Sequence, residues 1–267
     1  MSQPLTVKPG HKIQLADFDA SYKDGIDTRE DAEGETEANV SAMTDLAYRL
    51  YAENKRALLI VLQGMDTAGK DGTIRHVMRG VSPQSCQVTP FKQPSALELD
   101  HDFLWRIHKA VPAKGNIGIF NRSHYEDVLV VRVHNLVPKE VWESRYDIIN
   151  GFERFLENGG TTVIKIFLHI SKDEQKQRLE ERLHDAKKRW KLSPADVAER
   201  KLWDDYQRAY EEALTRCNTE YAPWHIVPAN RKWYRNYVIS KLLRETLEKL
   251  DPKFPPQAPD LDKLVIE

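Results

Sequence analysis

Residues 63–73, QGMDTAGKDGT, bring glycines, a lysine and two carboxylates together at spacings suited to holding phosphate. Gly64 and Gly69 stand five apart with Lys70 next, giving the pattern G-x-x-x-x-G-K. Glycines let backbone N–H groups converge on an anion without Cβ clashes, and a helix starting here adds its positive end. Lys70 can then reach a phosphate oxygen. The alternative is a plain glycine-rich turn between a strand and a helix. Residues 57–62, ALLIVL, form an apolar run of strand length just before the loop, and that context favours phosphate. The loop positions expected to contact phosphate are Gly64, Ala68, Gly69, Lys70, Asp71, Gly72 and Thr73.

Two carboxylates make the loop unusual. Asp71 stands where the common pattern has Ser or Thr, and Asp66 lies inside the loop. A carboxylate among phosphates repels them unless a cation intervenes, so Asp66 and Asp71 are candidates for holding Mg²⁺, with Mn²⁺ as a substitute. Asp71 also fits a helix-start carboxylate that merely complements the dipole.

These residues need elements to position them. Val40, Met43, Leu46, Ala47 and Leu50 recur at helical spacing ahead of the first strand. A second helix should run over residues 70–79, a short strand start at Cys86, and one helix span 96–110. IGIF at 117–120 reads as a buried strand, 139–157 as a helix, and 161–170 as another strand. Ser171 and Glu174 form a capping-box pattern for a helix to about residue 185. Ser193, Pro194 and Asp196 open a further helix after the basic turn KKRWK at 187–191. WHIV at 224–227 is the last strand, before a helix over 232–250. Strands alternating with helices about five times predict an α/β protein with a parallel sheet covered on both faces. Residues 1–36 read as an arm draped over the domain or without fixed structure, 37–250 as the domain, and 251–267 as a proline-rich tail. The helix pair at about 174–203 is not needed to complete the sheet and is a candidate lid.

More polar residues collect at strand ends, where open α/β sheets place ligands. Lys92 follows the second strand, and Asn121, Arg122, Glu126 and Asp127 follow the third. Arg122 can neutralise phosphate oxygens bidentately, while Glu126 or Asp127 could hold metal or orient a nucleotide acceptor beside Asn121. Being adjacent, Glu126 and Asp127 cannot share one face. Arg178 and Arg182 lie one turn apart on a helix and, with Lys188, could close over a phosphate chain. The plainer alternative is a solvated helix with both arginines paired to Glu174 and Glu181. Trp190 and Trp203 read as packing residues of that helix pair, and the histidines show no metal-ligand spacing.

Composition excludes several classes. Forty Lys and Arg against 41 Asp and Glu leave a net charge of −1, without the overall basic footprint of a nucleic-acid binder. Two cysteines propose no disulfide framework and fit a reducing, cytoplasmic setting. No apolar run reaches membrane-spanning length, and no signal-type hydrophobic stretch opens the chain. A guanine-reading NKxD segment is missing as well, which leaves a small-molecule kinase ahead of a switch GTPase.

GMDTAGKDG at 64–72, FNRSHYEDVLV at 120–130, KRWKLSPAD at 188–196 and APWHIVPANRKWYRN at 222–236 together resemble the polyphosphate kinase 2 family. The resemblance implies a P-loop kinase-like three-layer sandwich, thymidylate-kinase-like, with a parallel five-stranded sheet and a helical lid. It implies reversible, Mg²⁺-dependent phosphoryl transfer between inorganic polyphosphate and adenine nucleotides, without a phosphoenzyme, in a cytoplasmic homo-oligomer, dimer or tetramer. Asp66, Lys70 and Arg122 become the catalytic centre, under a lid carrying Arg178, Arg182 and Lys188. Many relatives have Asp-Arg-Ser where this chain has Asn121-Arg122-Ser123, which leaves Asp127 or water to compensate. Asn-Arg-Ser before His-Tyr-Glu-Asp resembles the third class, whose members accept both AMP and ADP. The alternatives are an ATP-dependent nucleoside monophosphate kinase and a polyphosphate-binding protein without turnover.

Overall fold

The computed structural model describes residues 6–259 and 266. In chain order the helices and strands are α1 (Arg29–Glu53), β1 (Ala57–Gly64), α2 (Lys70–Val77), β2 (Cys86–Pro90), α3 (Ala96–Leu99) and α4 (Trp105–His108). They continue with β3 (Ile117–Asn121), α5 (Val130–Val133), α6 (Lys139–Asn158), β4 (Thr161–His169) and α7 (Lys172–His184). α8 (Pro194–Lys201), α9 (Trp203–Arg216), β5 (Trp224–Pro228) and α10 (Lys232–Leu250) complete the fold. The sheet is parallel throughout, in the order β2-β3-β1-β4-β5. β1 is therefore central and every one of its eight residues is buried, as its uninterrupted apolar run requires.

The two faces of the sheet are covered by different helices. Ile60, Leu62, Ile119 and Ile166 meet Ile74 and Val77 of α2 and Ile239 and Leu243 of α10. The residue before Ile166 on β4, Lys165, points the other way and reaches Glu153 on α6. This is a three-layer α/β arrangement, with the carboxyl ends of β1, β3 and β4 opening on one edge.

Three expectations shift. Residues 29–36, read as part of the arm, belong to α1, which Thr28 caps by accepting from the Asp31 N–H. Acidic residues in its first turn suit the helix dipole, which the apolar periodicity alone did not reveal. The helix expected over 96–110 is two short ones. Asp102 breaks it by accepting from the Leu104 N–H through its side chain and from the Trp105 N–H through its carbonyl. Ser171 caps α7, but Glu174 does not return the bond, because its carboxylate is held by Arg178.

Residues 6–28 lie along the body with Val7, Ile13, Leu15, Ala20 and Ile26 buried. The Val7 N–H donates to the Trp224 carbonyl, and Leu15 N–H to Glu211.

Candidate phosphate-transfer site

β1 delivers its loop to the open edge of the sheet, and two glycines there have steric reasons. A Cβ on Gly64 would lie 2.9 Å from the Leu168 carbonyl oxygen, and one on Gly69 would lie 2.0 Å from an Arg235 nitrogen. Two residues with side chains also take left-handed backbone: Thr67 in the loop (φ 66°) and Arg122 just after β3 (φ 63°). Each costs on the order of 1–3 kcal/mol, a strain characteristic of functional sites.

β3 brings Arg122 beside the loop, where its guanidinium donates to Asp66 at 2.9 Å. Lys70 bends back to the carbonyls of Gly64 (2.7 Å) and Met65 (3.4 Å). Burial, assisted by the nearby Arg122 charge, pushes the Lys70 ammonium down to about 8. Asn121 donates to one Asp71 oxygen at 2.9 Å, and Lys191 of the turn Arg189–Lys191 reaches the other at 3.2 Å. Burial alone would raise the Asp71 carboxyl, but those two donors outweigh it and hold the group below its ordinary range.

These groups line a cleft of about 1590 Å³. Among the described residues, fourteen Lys or Arg and seven Asp or Glu border it. A chain of net charge −1 has thus placed an excess of cations, fourteen of its forty Lys and Arg, on one concavity, which focuses the field on a polyanion. Asp66, Gly69, Lys70, Asp71, Gly72, Lys92, Asn121, Arg122, Arg178, Arg182 and Lys188 all reach it.

Other expected residues are held elsewhere. Asp127, expected at a metal or nucleotide, is buried against Arg145 at 3.0 Å, and burial raises its carboxyl to about 6. Glu126 lies behind Arg122 and accepts from Gln63 at 3.1 Å, its carboxyl raised by burial against the pull of Arg122 and Lys70. Neither borders the cleft. Adjacent residues in the short 3₁₀ turn His124–Asp127 diverge, and both carboxylates find partners below the surface. Gly64, Ala68 and Thr73 do not border it either. Ala68 is fully buried, and the Thr73 hydroxyl donates to the Gly69 carbonyl.

Arg178 departs most from the lid expectation. It is 5% exposed and donates to the carbonyls of Thr67, Ala68, Ala229 and Asn230 while its Nε pairs with Glu174. It braces the phosphate loop from behind. Arg182, one turn on, has no hydrogen-bond or ion-pair partner for its guanidinium among the described residues and lines the cleft. Lys188 pairs with Asp185 at 3.1 Å. Trp190, expected to pack, is 77% exposed at the cleft, whereas Trp203 is buried.

Sequence reasoning passed over Lys191, Arg231 and Arg235. Arg235 is buried, donates to the Ala68 carbonyl at 3.3 Å, and is pushed down to about 10 by burial and the neighbouring Arg178. One buried Arg231 nitrogen has no hydrogen-bond partner. The available signal was their one-turn spacing directly after a strand end.

Among the described residues no three His, Cys, Asp or Glu side chains converge as a ready-made metal site. Mg²⁺ needs none, since it takes one or two protein carboxylates together with substrate phosphates and water. Asp66 and Asp71, hard oxygen donors on the cleft, fit that chemistry, and Asp127, buried away from the cleft against Arg145, does not.

A parallel sheet of this order with a phosphate loop after its central strand defines a P-loop kinase-like protein. The chain belongs to the polyphosphate kinase 2 family, whose model matches residues 26–255. An AMP/ADP-polyphosphate phosphotransferase of Meiothermus ruber is 50% identical, with 98% of each chain covered. An ADP-polyphosphate phosphotransferase of Rhodopseudomonas palustris is 42% identical, covering 100% of this chain and 96% of its own. The crystal structure of polyphosphate kinase 2 from Arthrobacter aurescens superposes with a TM-score of 0.93 at 44% identity, covering 97% of this chain and 93% of that one.

Proposed function

We propose that this chain transfers the terminal phosphoryl group of inorganic polyphosphate to AMP and ADP, giving ADP and ATP reversibly. The observation that carries the reading is the collection of fourteen Lys and Arg residues around one phosphate loop. That concentration suits a long polyanionic donor, and the relatives named above point to the same substrates.

An acceptor phosphate oxygen bonds to the terminal phosphorus as the bond from that phosphorus to the chain breaks, so polyphosphate leaves one unit shorter. The acceptor is already anionic near neutral pH and needs little general base. Lys70 and Arg122 neutralise and align the transferring group, while the loop and the start of α2 hold it by backbone N–H groups. Asp66 and Asp71 would hold Mg²⁺, which screens the phosphates from one another and from these carboxylates. Lys92, Arg182, Lys188, Lys191 and Arg231 extend the track for the donor. The helix pair α7–α8 serves as the lid that keeps water from competing with the acceptor. We assign the working form as a homo-oligomer in the cytoplasm.

The test uses purified chain, Mg²⁺, polyphosphate and either AMP or ADP, with ATP omitted. ADP from AMP and ATP from ADP are expected. If neither acceptor yields product while ATP plus AMP does, an ordinary nucleoside monophosphate kinase is the correct reading. Binding of polyphosphate with no turnover under any pairing would leave a non-catalytic binder.

A further inference from the structure

Away from the cleft, α6 carries an exposed seam with a regular period. Val141, Ile148 and Phe155 recur every seven residues and are 42%, 47% and 61% exposed. Ser144 and Gly151, also exposed, stand between them at the three-and-four spacing of a helix-pairing stripe. The helix already has a core side, since Trp142, Tyr146, Ile149, Phe152 and Leu156 are buried. The apolar seam is a second face, on which the edge of the His108 ring meets Phe155 at 5.8 Å.

We propose that this face of α6 pairs antiparallel with α6 of a second copy of the chain, about a twofold axis lying between Ile148 and Gly151. The proposal rests on the oligomer reading above and assigns it a surface. A twofold contact must be self-complementary, and this seam is so in shape and in charge. With the helices antiparallel, Ile148 faces Gly151 of the second copy and Phe155 faces its Ser144, and symmetry repeats both pairs. Ile148 and Phe155 thus meet small residues, and Val141 at the end of the seam comes opposite Asn158.

Gly151 supports the same register. A Cβ built there meets nothing within 4 Å, so nothing in the described chain requires glycine, although glycine weakens a helix interior. The pairing gives it a role, as the gap that receives Ile148. Asp147 and Arg154 lie along one flank of the seam. Asp147 has no ion-pair partner among the described residues, and Arg154 rests over the Tyr221 ring at 3.9 Å. In the antiparallel register Asp147 comes beside Arg154 of the second copy, twice.

The test is the mass of the full chain in solution by sedimentation at micromolar concentration. Gly151→Arg should fold with an unchanged circular-dichroism spectrum, because its site is open, and should halve the assembly's mass. Asp147→Arg, which sets Arg against Arg, should weaken association at least tenfold. Adding Arg154→Asp to it should restore association by exchanging the charges. A wild-type chain that sediments as a single copy overturns both the oligomer reading and this surface. An oligomer whose mass survives Gly151→Arg and Asp147→Arg overturns the surface alone.

Discussion

Lys70 is the residue on which the chemistry of the loop most depends. Its ammonium is half-buried and, among the described residues, donates to the carbonyls of Gly64 and Met65, so it is poised to exchange them for phosphate oxygens. Lys70→Ala is expected to lower kcat by roughly 10²-fold or more, as for other groups aimed at charge that shifts in the transition state. Steady-state kinetics with polyphosphate and ADP checks this, and a change confined to KM would assign Lys70 to uniform binding instead. Asn121 has a different part, since its amide orients Asp71. Asn121→Asp sets two carboxylates side by side, which favours a more firmly held Mg²⁺. The expected result is tighter Mg²⁺ dependence and a rate ratio tilted from AMP towards ADP, measured as initial rates at saturating polyphosphate. An unchanged ratio would remove Asn121 from acceptor choice.

At the scale of elements, α7 does two jobs with residues one turn apart. Arg178 closes four carbonyls of the loops after β1 and β5, so Arg178→Ala leaves buried acceptors and Glu174 without a partner. A loss of about 2–4 kcal/mol in unfolding free energy is expected, read by chemical denaturation, together with lost activity. Arg182→Ala should leave stability within about 0.5 kcal/mol. It should weaken polyphosphate binding and lower the salt dependence of that binding by up to roughly one unit of slope. If instead the stability loss falls on Arg182 and the salt effect on Arg178, the division of labour is the reverse.

For the whole molecule, the segment before α1 is tied to the last strand through His225, whose Nδ1 lies 3.0 Å from the Thr6 hydroxyl. Burial, with the nearby Lys249 charge, pushes the His225 imidazole down to about 4. The unfolded chain therefore takes up a proton near pH 6.5 that the folded chain refuses until about pH 4. Stability from this group is present above pH 6.5 and falls as pH drops towards 4, by about 3 kcal/mol in all. Buried His124 and His169, lowered for the same reason, act in the same direction. Denaturation midpoints from pH 7 to 4 should fall for the wild type and fall less for His225→Gln. Parallel curves would mean that His225 does not couple folding to acid.

Local chemistry and periodicity were enough to read much of this protein from its sequence. An uninterrupted apolar run marks β1, a glycine and lysine spacing marks the loop, and alternating strands and helices dictate a parallel sheet. Asp66, Lys70 and Arg122 could be named because they sit in or next to such local signals. What the sequence could not decide is which way each side chain turns. Glu126 and Asp127 read as residues of different faces, one of which could hold metal or orient the acceptor, yet both turn into buried networks, and Arg178 and Arg182 read as twin lid residues, yet one is a brace. Lys165 sits in an apolar strand with no local explanation. Its buried ammonium is satisfied by Glu153, Tyr125 and the Cys217 carbonyl, drawn from 12, 40 and 52 residues away. Such partners are fixed by burial, where an unpaired charge costs several kcal/mol, and only the tertiary structure brings them together.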